Sequence, residues 1–176
     1  MNILVCIKQV PDTTEIKIDP VKHTLIREGV PSIVNPFDAC ALEMAVRLKE
    51  KEGGKVIVIS MGPAQAKNAL KECLAVGADQ AFLVTDRAFG GSDTLATSYI
   101  LSRAIAAVEA KTGEKFDLIF CGKQAIDGDT AQVGPQISEH LDIPVISYAQ
   151  DIKVEGDSVI VQRQFEDRYH VLKAKM

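Results

Sequence analysis

Positive charge is in short supply. Across 176 residues, 20 Lys and Arg face 24 Asp and Glu, a formal net charge of −4. The basic face that a general nucleic-acid binder needs is therefore not expected. Long apolar runs are missing too: no stretch approaches the roughly 20 residues that cross a bilayer as a helix. With a first strand expected to begin at Asn2, no basic, apolar, small-residue leader is expected either, and the cytoplasm is the expected location. Cysteine and histidine are few and scattered. Cys6, Cys40, Cys73 and Cys121 form no C-x-x-C pair, and His23, His140 and His170 lie far apart. That is poor material for a zinc site or a disulfide framework, and all four thiols are expected to be small, mostly buried packing groups. Two phosphate signatures are absent as well. Gly122-Lys123 has the order of G-x-x-x-x-G-K-[ST] without its spacing, and the first strand runs into CIKQVPD, not G-x-G-x-x-G.

What is present has the rhythm of an α/β protein. Hydrophobic residues make up 47% and charged residues 25%, ordinary for a soluble globule long enough to bury a core without staples. ILVCIKQV (3–10), KVIVIS (55–60), QAFLVT (80–85), FDLIFCG (116–122) and IPVISYA (143–149) are short apolar runs, the pattern of strands buried on both faces of a parallel sheet. Helical stretches alternate with them. NPFDACALEMAVRLKEKEGG offers Asn35 as a cap, Pro36 at the first position and Asp38 at the third, with Gly53-Gly54 as the stop. PAQAKNALKECLAVGA runs from Pro63 to Gly77. SDTLATSYILSRAIAAVEAKTG ends at Gly113. TAQVGPQISEHL is expected to be helical from Thr130, with Pro135 in its first turn or kinking it. EIKID (15–19) and TLIRE (24–28), on either side of Pro20, read as a small hairpin. After Asp151 the pattern alternates apolar and polar, with turns at 155–157 and 166–167, and reads as an antiparallel meander. The expectation is a doubly wound, mainly parallel five-stranded sheet over residues 1–150, with an antiparallel extension over 151–176 in the same domain. The last strand reaches Met176 without a stop signal, so a truncated chain is expected.

Ligands of such sheets bind beyond the carboxyl ends of the strands. Two loops there stand out. CGKQAIDGDTAQVGPQ (121–136) leads into a helix start, where free N–H groups attract an anion, Thr130 and Gln132 add donors, and Gly128 and Gly134 permit close approach. GGSDTLAT (90–97) repeats the pattern with Ser92, Thr94 and Thr97. Two hydroxyl-rich helix starts at neighbouring strand ends would suit one pyrophosphate; alternatively, Asp93 and Asp129 merely cap helices. Asp127 and Asp129 repel a phosphate unless they turn outward, Lys123 offsets one, or a cation such as Mg²⁺ intervenes. No nucleophile–base pair appears. His140 reads as a surface or packing residue and Lys8 as a solvated one, so binding is better supported than catalysis.

The segments ILVCIKQVPD, NPFDACALEMAVRLKE, SMGPAQAKNALKECLAVGAD and above all CGKQAIDGDTAQVGPQISEHL resemble the β subunit of electron-transferring flavoprotein, co-linearly over essentially the whole chain. GGSDTLAT resembles the form found in electron-bifurcating members from anaerobic bacteria. The resemblance implies a Rossmann-like, adenine nucleotide α-hydrolase-like fold and an α-subunit partner in a heterodimer. It implies FAD bound for NADH-driven bifurcation, or AMP as a structural ligand, and an acyl-CoA dehydrogenase or acyl-CoA reductase as electron partner. It places the Cys6 backbone at the adenine. Asn35, Met61 and the loop of Gly122, Lys123, Gln124, Ala125, Ile126, Asp127, Gly128, Asp129, Thr130, Ala131, Gln132 and Val133 would line the pocket, with Asp93, Thr94 and Thr97 near the phosphates. Family members continue past the position of Met176. The competing readings are a stand-alone universal-stress-like ATP or AMP module and an adenylating enzyme of the ATP-pyrophosphatase type. The latter needs S-G-G-x-D-S where this chain has CIKQVPD.

Overall fold

The computed structural model describes residues 1–12 and 31–176; the hairpin expected over 15–28 lies outside them. The core is a four-stranded parallel sheet of β1 (Asn2–Cys6), β4 (Lys55–Met61), β5 (Gln80–Val84) and β6 (Leu118–Cys121), in the order β5-β4-β1-β6. Between β1 and β4 in the chain, β2 (Gln9–Pro11) and β3 (Ser32–Val34) pair antiparallel. The expected first strand over 3–10 is therefore two: pairing to the sheet stops at Cys6, and Gln9 onward turns to β3.

Successive side chains of a strand point to opposite faces, and β1 divides its apolar residues accordingly. Ile3 and Val5 join the α1 (Pro36–Glu52) and α2 (Lys67–Val76) side, with Leu42, Val46, Leu70 and Cys73. Leu4 and Cys6 join the side of α3 (Thr94–Thr112) and α4 (Val133–Leu141), with Leu101, Ile105 and Ile137. Each large aliphatic side chain fully buried in this way contributes about 1.5–3 kcal/mol. The helix stops fall where the glycines stand: Gly113 ends α3 at φ 72°, a left-handed conformation that glycine takes without a Cβ penalty.

The sheet is Rossmann-like, with four strands in place of the five expected. Residues 143–148 carry the apolar pattern but are in no strand, and Ile143, Val145 and Tyr148 are exposed. Asp142 and Tyr148, at φ 52° and 57°, bend the chain out of the extended path at both ends of that segment. The meander is as expected: β7 (Ala149–Glu155), β8 (Ser158–Gln164) and β9 (Tyr169–Lys175) form an antiparallel sheet. Ile152 and Val154 of β7 pack onto the α1 side of the core. Among the described residues no helix is long and apolar enough to cross a membrane. The cysteines depart from expectation. Cys6 and Cys73 are buried, whereas Cys121 is half-buried and Cys40 is exposed, because α1 turns Cys40 away from the sheet.

Candidate functional site

The chain builds β1, then β4 and β5 to one side, and crosses over to lay β6 on the other side of β1. Strand order reverses between β1 and β6, and the crevice beyond their carboxyl ends is where open α/β sheets bind ligands. Three residues hold this point together. Asp38 accepts the Lys8 N–H (2.7 Å) just past β1 and the Gly122 N–H (3.2 Å) just past β6. Burial pushes its carboxyl up from 3.8 to about 6, against the lowering pull of those two N–H groups and of Asn35. Gly122 runs against the start of α1 so closely that a Cβ there would collide with the Asp38 carboxylate and lie 2.7 Å from the Phe37 carbonyl carbon.

Asn35 is the third. It stands at the N-cap of α1, yet its side chain makes no cap hydrogen bond. It is 1% exposed; its Nδ2 donates to the Gln124 carbonyl (2.8 Å) and its Oδ1 accepts the Ile126 N–H (3.2 Å). Both polar ends clamp the 122–132 loop, so the side chain positions that loop rather than the helix.

Beyond the clamp, Gly128 and Asp129 both donate N–H to the Ala125 carbonyl (3.3 and 2.9 Å). Asp129 and Ala131 then take φ 53° and 54°, values uncommon for residues with a Cβ and frequent at functional loops. Gln132 returns to the right-handed region. Among the described residues, the N–H groups of Thr130, Ala131 and Gln132 find no acceptor, and those of Val133 and Gly134 are the free donors of a helix start. Left-handed Ala131 followed by right-handed Gln132 is the backbone alternation from which anion-binding nests of successive N–H groups are built.

Of the aspartates, Asp93 caps a helix as one expectation had it, whereas Asp127 and Asp129 do neither that nor pair with Lys123. Asp127 pairs with Lys8 Nζ at 2.6 Å, so Lys8, read as merely solvated, is its counter-charge. Lys123 instead lies over the Tyr148 ring, 5.4 Å from its centroid. Asp129 caps no helix. It accepts Gln124 Nε2 at 2.7 Å, and α4 begins at Val133, not Thr130, because the left-handed residues delay it. Asp93 does cap: its carboxylate accepts the Ala96 N–H of α3 at 2.8 Å.

The two helix starts do meet, but not at neighbouring strand ends. β5 and β6 are opposite edges of the sheet. The connection after β5, with its short 3₁₀ turn over Arg87–Phe89, brings Thr94 back to Gln132, where Thr94 Oγ1 donates to Gln132 Oε1 at 3.2 Å. Met61 ends β4 and packs on the α3/α4 side of the sheet. Cys6 ends β1, and Val133 opens α4 above the same cluster. Ala125 and Ile126 are half-buried within the loop, Thr130 is exposed, and the Thr97 hydroxyl has no hydrogen bond to the loop. His140 is a packing residue after all, edge-on to Tyr99 and 3.2 Å from Ser98 Oγ. Asp38 and Lys8 are the residues that pattern reading missed. Their partners lie 30 to 119 residues away, and no spacing rule reaches that far. An apolar groove of about 540 Å³ between β5 and α3, lined by Phe82, Val84, Tyr99 and Arg103, lies away from this loop.

The fold and the strand-end crevice place the chain in the Rossmann-like α/β class. Comparison with known proteins narrows this: the family model described as the electron transfer flavoprotein domain matches residues 22–175, and the chain belongs to that family. It is 61% identical over 175 residues to the electron transfer flavoprotein subunit beta of Thermoanaerobacterium thermosaccharolyticum, covering 99% of this chain and 65% of that protein. It is 62% identical over 177 residues to the protein of the same name from Megasphaera elsdenii, covering 99% and 66%. It is 57% identical over 177 residues to the caffeyl-CoA reductase-Etf complex subunit CarD of Acetobacterium woodii, covering 100% and 66%. The chain thus spans just under two thirds of the length of these relatives.

Proposed function

We propose that this chain is the nucleotide-holding part of an electron-transferring flavoprotein β subunit, with an adenylate bound in the crevice between β1 and β6. The observation that carries the reading is the row of N–H groups at Thr130–Gly134 that find no acceptor among the described residues, joined to the α3 start through Thr94. The donor set fits a phosphate: the N–H groups supply a fixed positive field, Lys8 offsets Asp127, and Asn35 and Asp38 hold the loop in place without touching the ligand. Cys6 and Met61, at the adjoining strand ends, suit the adenine, and residues 1–150 and 151–176 act as one domain through the packing of β7 on the core.

The ligand we favour is FAD, with AMP as the alternative; both present the same adenylate to these residues. When bound, FAD supplies two-electron uptake from NADH and release of single electrons. This chain's own residues bind and orient its adenylate half. The α subunit is the proposed heterodimer partner, and an acyl-CoA reductase or an acyl-CoA dehydrogenase is the proposed electron partner, in the cytoplasm; the name of the Acetobacterium woodii relative, a subunit of a caffeyl-CoA reductase-Etf complex, supports the reductase. Purification with the α subunit, followed by extraction of the ligand and its absorbance and mass, tests this. An adenylate is expected; a preparation that carries none and does not bind added AMP refutes the reading.

A further inference from the structure

Two thiols distant in sequence are neighbours in the sheet. Cys6 ends β1, Cys121 ends β6, and they are direct partners in parallel register. Adjacent strands lie about 4.8 Å apart and register partners share a face, within the roughly 4.4–6.8 Å between Cα atoms that a disulfide spans. Both side chains turn to the α3/α4 side: Cys6 belongs to its buried cluster and Cys121 packs against it. Their access differs. Cys6 is buried and Cys121 only half so. Cys121 lies under the first turn of α4, where a Cβ on Gly134 would stand 3.7 Å from its Sγ.

We propose that Cys6 and Cys121 are a redox-modification site: a peroxide converts them to a cross-strand disulfide that ties the ends of β1 and β6 together beside the loop. Cys121, the accessible member, attacks the peroxide as its thiolate. The O–O bond breaks, a sulfenic acid forms on Cys121, and the displaced hydroxide takes up the thiol proton to leave as water. The Cys6 sulfur then attacks the sulfenic sulfur. The S–S bond forms, and the sulfenic hydroxyl leaves with the Cys6 proton as a second water. Two thiols and one peroxide become one disulfide and two waters. The neighbouring Cys121 thiol and burial hold the Cys6 thiol well above its ordinary value, so Cys6 is not the thiol that attacks the peroxide first.

The site bears on the crevice. Lys8 and Gly122, the two residues whose N–H groups Asp38 holds, follow Cys6 and Cys121 closely in the chain. A disulfide sets the spacing of the same strand ends that carry the loop, and an adenylate across the crevice shields Cys121. That shielding rests on the nucleotide reading above.

The experiment oxidises the 176-residue chain, in a Cys40→Ser background to remove the exposed thiol, with hydrogen peroxide. It then reads intact mass and non-reducing peptide maps. The expected result is a loss of about 2 Da in a linked Cys6–Cys121 peptide. Dithiothreitol should reverse it, and Cys121→Ser or Cys6→Ser should abolish it. Saturating AMP should slow closure about threefold or more, as a ligand of the closed-off state would. Should Cys6→Ser fail to fold, Cys121→Ser at the half-buried partner gives the same loss of the link. Oxidation that stops at singly modified Cys121, with no linked peptide, overturns the proposal. A disulfide that forms at the same rate with and without AMP upholds the site and counts against the nucleotide reading alone.

Discussion

Asn35→Ala tests the clamp most directly. The substitution removes two hydrogen bonds made by one side chain that is 1% exposed, to Gln124 and Ile126 across 89 and 91 residues of chain. Losing a buried hydrogen bond costs about 1 kcal/mol, and leaving its partner unsatisfied costs about 1–3. Two partners are stranded here, though the loop is half-buried and water can reach part of it, so a loss of roughly 2–4 kcal/mol is expected. Urea unfolding measures it as a shift of the midpoint at unchanged slope. Calorimetric titration with AMP under native conditions measures the second half of the claim. With the clamp gone the N–H row at 130–134 is no longer held in place, and affinity should fall about tenfold, equivalent to 1.4 kcal/mol. Stability within about 0.5 kcal/mol of the parent, the range of an ordinary surface change, would show that the clamp carries no load. A clear loss of stability with AMP affinity intact would show that the loop is structural and the ligand sits elsewhere.

Gly128→Val should leave stability within about 0.5 kcal/mol, because a Cβ at Gly128 meets nothing within 4 Å, yet should weaken AMP binding by obstructing approach to the loop; unchanged affinity places the phosphates elsewhere. Gly122→Ala should do the reverse. Its Cβ meets the first residues of α1, and a loss of about 3 kcal/mol or more by urea unfolding is expected. Asp38 should give an acid-side slope. Its carboxyl is raised from 3.8 to about 6 in the fold, so the folded state binds the extra proton between those values. Its contribution is full below about pH 3.8 and lost as pH rises through about 6, a change on the order of 3 kcal/mol. The difference in unfolding free energy between parent and Asp38→Asn should follow that curve; a difference independent of pH refutes it. Lys8→Gln should cost under about 1 kcal/mol of stability, because the Lys8 side chain is half exposed. It should also make AMP binding weaker and less tolerant of low salt, since the Asp127 charge is then uncompensated.

Sequence pattern reached the architecture because its signals are local. ILVC, VIVIS and LIFC read as strands covered on both sides, and each proved to feed one apolar cluster per face. Gly77 and Gly113 marked helix ends for the same reason: the backbone conformation they permit is a property of one residue. The same local reading misassigned 143–148, which looks like a core strand but leaves Ile143, Val145 and Tyr148 facing solvent. It also started α4 three residues early, because nothing in Thr130, Ala131 or Gln132 announces a left-handed residue at 131.

The loop CGKQAIDGDTAQVGPQ carries the same division. Its resemblance to the flavoprotein family was evident from the residues themselves, and the family match agrees with it. The amino-acid order also determined that free N–H donors would gather where a helix follows a strand end. Tertiary structure alone decided what surrounds them. Asn35 turned from helix cap to loop clamp, Lys8 became the counter-charge of Asp127, Asp38 joined two strand ends, and Cys6 came to face Cys121. These contacts join residues from 30 to 119 positions apart, and all but the Lys8–Asp38 contact depend on the crossover that places β6 beside β1.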